Sequence, residues 1–192
     1  MNEGAGALLG SMTEILRSID IPHMVVGSFA STFHGVPRTT HDLDLVIDPS
    51  VEQLDRLVAG LDPERYYVDL EVARDALARR TMFNVIEIET AWKVDLVIKK
   101  ARPFSVEELS RREPAILIGV AVPMATAEDT IISKLEWAKD GASSRQLEDV
   151  AGILRLRGGQ LDLNYIARWV GELGIEKQWS DAEALATSSR SG

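Results

Sequence analysis

Residues 24–48 read MVVGSFASTFHGVPRTTHDLDLVID, an apolar run followed by a Gly-Ser step and by two aspartates that one leucine separates. If the segment DLDLVI forms a strand, its two leucines and its isoleucine share one face, and Asp42 and Asp44 share the other. At about 3.3 Å of rise per residue the two aspartates attach roughly 6.6 Å apart, so both carboxylates can reach one small cation. The pattern therefore predicts a positive charge between Asp42 and Asp44.

Composition narrows the class of protein. The chain has 192 residues, 45% of them hydrophobic, which suits one sizeable domain or two small ones. It has no cysteine, so disulfides, thiolate metal sites and thiol nucleophiles are excluded. The net charge of −9 argues against broad, charge-driven binding of nucleic acid, although a local basic groove stays open. The sequence shows no signal peptide and no membrane-spanning run, and we expect a soluble, cytoplasmic protein with no membrane partner.

Hydrophobic periodicity divides the chain into an α+β part and a helical part. Before residue 125, helices alternate with strands, including a predicted hairpin of residues 83–89 and 93–99. After residue 125 the strand pattern ends and helices follow, the first opened by a capping box at Thr126 to Asp129. We expect a mixed sheet flanked by helices over residues 1–124 and a helical bundle over residues 125–192.

The Gly27-Ser28 step lies where a predicted strand gives way to a helix. Glycine lets a ligand approach the backbone closely, and the N–H groups at the start of a helix favour an anion such as phosphate. Alone, such a step is more often a tight turn. Next to Asp42 and Asp44 it completes the two halves of a metal–nucleotide site, with amides for a triphosphate and hard oxygen ligands for Mg²⁺.

A third carboxylate, Asp95, lies in the strand-like segment WKVDLVI. Because Val94 and Leu96 face the core, Asp95 lies on the opposite face together with Lys93. If this strand is the neighbour of the DLDL strand with matching faces, three carboxylates converge, and Asp95 acts as a metal ligand or as the general base. Taken alone, Asp95 is better explained as a solvent-facing strand residue.

These motifs together resemble a known superfamily. Gly27-Ser28, thirteen intervening residues, Asp42-Leu-Asp44 and the later Asp95 look like the signature of the polymerase-β-like nucleotidyltransferase fold. Within it, the longer spacing and the segment PRTTHDLD are similar to the AbiEii-type nucleotidyltransferases, which include the MenT toxins of toxin–antitoxin pairs.

The resemblance implies further site residues. Such proteins carry a lysine in the helix after the sheet and an aspartate in the next helix, and Lys134 and Asp149 match these positions. Lys134 would then contact the nucleotide phosphates, as would Arg38. From the residues alone, Asp149 is equally consistent with an exposed ion pair with Arg145, and for Lys134 a surface lysine is the ordinary case.

The resulting hypothesis is an Mg²⁺-dependent nucleotidyltransferase that transfers NMP from an NTP to an acceptor hydroxyl. The resemblance implies that the acceptor is the 3′ end of tRNA and that the chain is a toxin with an antitoxin partner. A protein or a small molecule such as an antibiotic stays open as the acceptor. The alternative from another class is a non-catalytic module of the same fold that binds a nucleotide or a partner protein.

Overall fold

The structure is a computed structural model that describes residues 3–35, 37, 40, 42–141 and 143–188. The chain forms two compact units, each made of two segments. The first unit comprises Met1–Val26 and Thr40–Met124, and the second comprises Gly27–Thr39 and Ala125–Gly192. The division into domains 1–124 and 125–192 remains a prediction.

Helices and strands alternate in the first part of the chain and helices make up the second. In chain order the described elements are α1 (Glu3–Ser18), β1 (His23–Val25), α2 (Gly27–His34), β2 (Asp42–Ile47), α3 (Val51–Gly60), β3 (Tyr66–Tyr67), α4 (Leu70–Arg79), β4 (Met82–Glu87), β5 (Lys93–Ile98), α5 (Pro103–Arg111), β6 (Glu113–Leu117), β7 (Val120–Met124), α6 (Ala127–Gly141), α7 (Ser144–Arg157), a 3₁₀ turn (Gly158–Gln160), α8 (Leu163–Leu173) and α9 (Glu176–Ser188).

The first unit is built on one seven-stranded mixed sheet in the order β3-β4-β5-β2-β1-β7-β6. The central strand β2 pairs in parallel with β5 and antiparallel with β1, and β1 pairs in parallel with β7. The predicted hairpin of β4 and β5 is confirmed as an antiparallel pair. In β2 the side chains of Leu43, Leu45 and Ile47 are buried, as the alternating pattern predicts, so Asp42 and Asp44 belong to the other face.

Local signals fix several helices of the first unit. In α1, Leu8, Leu9, Met12 and Leu16 are fully buried and form the apolar stripe that packs into the core. Helix α3 begins with a capping box, in which the Ser50 hydroxyl accepts from the Gln53 N–H and the Gln53 side chain accepts from the Ser50 N–H. These contacts satisfy helix-end groups that would otherwise lack partners.

In the second unit, α6 and α7 bury apolar stripes that include Ile131, Leu135, Val150 and Ile153. The predicted cap of α6 is present, because the Thr126 hydroxyl accepts from the Asp129 N–H at 3.1 Å and donates to the Asp129 carboxylate at 2.7 Å. Thr126 and Asp129 are both buried, so the cap provides hydrogen-bond partners for polar groups that water does not reach.

Two elements differ from the sequence-based expectations. The short strand β3 and the helix α5 are not among the predicted elements. Helix α5 buries Ser105 and Glu108 along with Phe104 and Leu109, so its buried face is partly polar and gives a weak hydrophobic pattern. Within the described ranges, no helix combines the length and apolar character needed to cross a bilayer.

Candidate active site

The parallel pairing of β2 and β5 brings the predicted carboxylates to one face of the sheet. Asp44 is the register partner of Asp95, and Asp42 is the register partner of Lys93. Partners in neighbouring strands project to the same side, so Asp42, Asp44 and Asp95 share a face. Strands β2 and β5 are therefore neighbours with matching faces, which is the condition for the three carboxylates to converge. The roles of the three aspartates remain a prediction.

Asp95 is held from both sides. Asp95 is only 7% exposed, so the alternative that it faces solvent is wrong. Asn84, its antiparallel register partner in β4, donates a side-chain N–H to Oδ1, and the ammonium of Lys93 lies 3.0 Å from Oδ2. Each oxygen of this carboxylate therefore has a donor from the sheet, which fixes its orientation.

Lys93 places a positive charge beside two of these aspartates, Asp42 and Asp95. Its Nζ lies 3.7 Å from Asp42 Oδ1 in addition to its contact with Asp95. The hydrogen bond to Asp95 is the largest cause that raises the pKa of Lys93; partial burial opposes it, and the charges of Asp95, Asp42 and Asp44 add to it. The ammonium is therefore held firmly in its charged form beside the carboxylates.

The donor set suits a hard divalent cation. Carboxylate oxygens are the ligands that Mg²⁺ prefers, and Asp44 and Asp95 lie side by side on adjacent strands. Among the described residues, however, no group of three or more His, Asp or Glu side chains already gathers its ligand atoms around one point. The residues thus fit the ion in chemistry, and Lys93 contacts two of the three carboxylates.

A second polar cluster lies in the helical unit, around Lys134 and Asp149. The Lys134 ammonium lies 2.7 Å from Asp149 Oδ2 and donates to Gln146 Oε1 at 2.9 Å, and the Ser31 hydroxyl donates to Asp149 Oδ2 at 3.4 Å. The two charged side chains are only 6% and 10% exposed. The surface alternatives for Lys134 and Asp149 are therefore wrong, and each is a buried charge with an opposite partner.

The Gly27-Ser28 step begins α2, as the strand-to-helix pattern indicates. Gly27 has a φ of 63°, a left-handed conformation that favours glycine over residues with a side chain. Val26, the residue before it in the sequence, donates its N–H to the carbonyl of Asp44 at 3.0 Å. Arg38, the other predicted phosphate ligand, lies outside the described residues.

Asn84, Gln146 and Ser31 contact the predicted site residues and were not singled out by sequence reasoning. Asn84 is an exposed-face polar residue within a strand, and its relevance depends on the β4–β5 register, which a single sequence does not specify. Gln146 and Ser31 reach Lys134 and Asp149 only through tertiary packing. A polar residue opposite a predicted metal ligand in a predicted hairpin is the one signal that would have pointed to Asn84.

No protein-family model matches the sequence, and no curated protein matches it. Solved structures do match, and at 8–16% identity the likeness concerns the fold. An antigenic nucleotidyltransferase-like protein from Paracoccidioides brasiliensis aligns with TM-score 0.54 and 15% identity over 93% of this chain and 90% of its own. The antibiotic-resistance factor ANT(2")-Ia, in complex with adenylyl-2"-tobramycin, aligns with TM-score 0.52 and 16% identity over 97% of this chain and 98% of its own. The lincosamide antibiotic adenylyltransferase LnuA, bound to lincomycin, aligns with TM-score 0.50 and 8% identity over 76% and 93%.

The mixed sheet and its helices, together with these neighbours, identify the class: the chain has the α+β nucleotidyltransferase fold.

Proposed function

We propose that this protein is a nucleotidyltransferase that transfers a nucleoside monophosphate from an NTP to an acceptor hydroxyl. The observation that carries the proposal is the register of Asp44 with Asp95, with Asp42 on the same face. Three carboxylates on one face repel one another, and the single ammonium of Lys93 offsets only part of their charge, so a purely structural role explains them poorly. They suit a reaction in which positive charge must be held beside phosphates.

In the proposed reaction the acceptor oxygen bonds to the α-phosphorus, and the bond between that phosphorus and the β-phosphate oxygen breaks. Pyrophosphate leaves with the bonding pair, and the acceptor proton passes to a carboxylate, for which Asp95 is the candidate base. Catalysis of this kind rests mainly on positioning and on neutralising charge. Asn84 would keep Asp95 oriented toward the reacting hydroxyl.

Asp42, Asp44 and Asp95 are the proposed ligands of Mg²⁺, the expected cofactor. When bound, the ion supplies positive charge to the triphosphate and acidifies a nearby hydroxyl. Gly27 and Ser28 would bind phosphate oxygens through the backbone N–H groups at the start of α2, where the helix dipole favours negative charge.

Lys134, Asp149 and Arg38 are proposed as accessory nucleotide-binding residues on the basis of the family resemblance. A lysine with an almost fully buried ammonium is costly to a fold unless its charge is paired. Asp149 pairs it, and Gln146 and Ser31 complete the network, so the charge of Lys134 is held in one defined position. A positioned cation of this kind suits the recognition of phosphate better than a mobile surface lysine does.

The finer proposal concerns the acceptor and the biological role. The similarity to AbiEii and MenT proteins favours the 3′ end of tRNA as acceptor, a role as toxin, and an antitoxin as partner. A small cationic molecule is the second candidate, because the net charge of −9 attracts cations and repels RNA, and because structural neighbours hold an adenylylated aminoglycoside and a lincosamide. A protein acceptor is the third.

The experiment that tests the proposal offers each of the four α-³²P-labelled NTPs with Mg²⁺ to the wild-type protein. Total tRNA, bacterial lysate protein, tobramycin, lincomycin and the protein alone serve as acceptors. The same reactions are run with Asp44→Ala, and with Asp75→Ala as a matched control on the exposed surface of α4.

We expect label on one acceptor class with the wild type and with Asp75→Ala, and at least about a hundredfold less with Asp44→Ala. Undiminished transfer by a folded Asp44→Ala would refute the assignment of Asp44. No label on any acceptor, combined with stabilisation of the protein by Mg²⁺ and NTP, would favour the non-catalytic binding module.

A further inference from the structure

The position of Lys93 within the carboxylate face has a consequence beyond the proposed reaction. Lys93 lies two residues before Asp95 on the same strand face and is the register partner of Asp42 on the neighbouring strand. Its ammonium contacts carboxylates of both residues, at 3.0 Å and 3.7 Å. The chain therefore carries a cation of its own at the place where a metal ion is expected.

The two donors on Asp95 differ in how freely they move. Asn84 is a short side chain fixed by its place opposite Asp95 in the hairpin. The Lys93 side chain is 38% exposed and ends in a compact, strongly hydrated ammonium on a flexible four-carbon stem. Asp42, which it also contacts, is 52% exposed. Lys93 can therefore leave the carboxylates for water without disturbing the sheet.

We propose that Lys93 is the resident counter-cation of the metal-free carboxylate face and that it competes with the divalent cation for Asp42 and Asp95. This inference rests on the proposed function, because it takes these aspartates as metal ligands. In the metal-free protein Lys93 offsets the repulsion between neighbouring carboxylates; on metal binding its ammonium withdraws. Lys93 thus lowers the affinity for free cations and stabilises the fold in their absence.

A simple surface ion pair predicts something different. If Lys93 formed only a simple surface ion pair, removing its charge would change stability and metal affinity slightly, as removing any nearby lysine does, through the overall electrostatic field. The competition model predicts opposite effects on two quantities: weaker stability without metal and tighter binding of metal. Removal of a nearby lysine outside the carboxylate face changes the net charge equally but does not produce this pair of opposite effects. One set of variants therefore separates the two models.

The test measures binding of Mn²⁺, without nucleotide, from the electron paramagnetic resonance signal of the free ion. The variants are Lys93→Met, which removes the charge, Lys93→Gln, a second neutral variant that keeps hydrogen-bonding capacity, and Lys93→Arg, which restores the charge. Lys100→Met, an exposed lysine after the end of β5, is the control for net charge. Melting temperatures in EDTA are measured in parallel.

We expect the neutral variants at Lys93 to bind Mn²⁺ about fivefold more tightly than the wild type, the upper end for a partly exposed pair. They should also melt at a lower temperature in EDTA, while Lys93→Arg and Lys100→Met stay close to the wild type. If Lys93→Met does not fold in EDTA, Lys93→Gln carries the comparison.

Mn²⁺ affinity of the neutral variants that equals or falls below that of the wild type would overturn the inference. This failure is distinct from failure of the proposed function, which would appear as absence of nucleotide transfer by the wild type. Adding Asp44→Ala to Lys93→Met provides the internal check, because the gain in Mn²⁺ affinity should vanish if the ion binds at the carboxylate face.

Discussion

Asp44 and Asp95 are direct neighbours across the parallel β2–β5 pair, although they lie 51 positions apart in the sequence. A shift of one residue in this register would place Val94 or Leu96 beside Asp44 and turn Asp95 to the opposite face. The buried faces of both strands oppose such a shift, because it would bring leucine, valine and isoleucine side chains to water. The hydrophobic core thus determines which carboxylates meet.

The hydrogen bond from Asn84 to Asp95 gives the first prediction. Asn84→Ala removes the donor that orients Asp95, so the rate of label transfer should fall by about tenfold or more, the usual effect of losing a partner behind a reactive group. Initial rates with the NTP and acceptor found for the wild type provide the measurement. Asn164→Ala, an exposed asparagine of α8, is the control, and equal rates for the two variants would contradict the prediction.

The buried Lys134–Asp149 pair gives the second prediction. Lys134→Met leaves the Asp149 carboxylate buried without its cation, and the free energy of unfolding in urea should fall by about 3–5 kcal/mol. The double variant Lys134→Met/Asp149→Leu removes both charges and should recover most of that loss.

A double variant that is as unstable as Lys134→Met would show that the pair is not the source of the effect. A stable double variant that no longer transfers label would instead support the proposed nucleotide-binding role, because stability and activity would then have been separated.

The buried imidazole of His23 gives the third prediction. Its Nδ1 lies 2.8 Å from the carbonyl of Ile21, which can only accept, so Nδ1 carries the proton; Nε2 is buried and has no hydrogen-bond partner among the residues that the structure describes. Burial is the largest cause that lowers the pKa of His23 below its usual 6.5, opposed by the bond to Ile21 and aided by the charges of Arg17 and Arg112.

A lowered pKa means that the unfolded chain binds the proton more readily than the folded one. The contribution of His23 to stability is therefore fully present above pH 6.5 and is lost as the pH falls from there toward the folded pKa. The free energy of unfolding in urea should fall less between about pH 7.5 and pH 5.5 for His23→Asn than for the wild type. The side-chain N–H of the asparagine can still donate to the carbonyl of Ile21. Parallel curves for the two proteins would contradict the prediction.

Much of the strand pattern follows from the sequence because one face of each strand is apolar. The alternation in DLDLVI and in KVDLVI assigns the aspartates to one side of their strands, and the buried residues agree with that assignment. Pairing of β2 with β5 is different, since it joins distant segments, and nothing within either segment encodes the partner. The sequence therefore predicts that the three carboxylates converge only if these two strands pair.

Lys134 and Asp149 show a second limit. Lys134 borders the apolar stripe of α6, where a long charged side chain normally reaches water, and the sequence places Asp149 on a different face from the apolar stripe of α7. Their burial depends on each other and on Gln146 and Ser31, which come from α7 and α2. A buried ion pair is a property of two helices at once, so helical periodicity within one segment does not reveal it.

The sheet also determines when the carboxylate face comes into being. The β2–β5 pair closes across 51 positions, and the contact of Val25 in β1 with Met124 in β7 closes across 99. Pairing so distant in sequence slows folding, because the entropy of closing long loops is lost before the contacts compensate for it. Asp44 and Asp95 become neighbours only when β2 and β5 pair, so a divalent cation that binds them as proposed would bind late in folding. The uptake of Mn²⁺ during refolding would then report the time at which β2 and β5 pair.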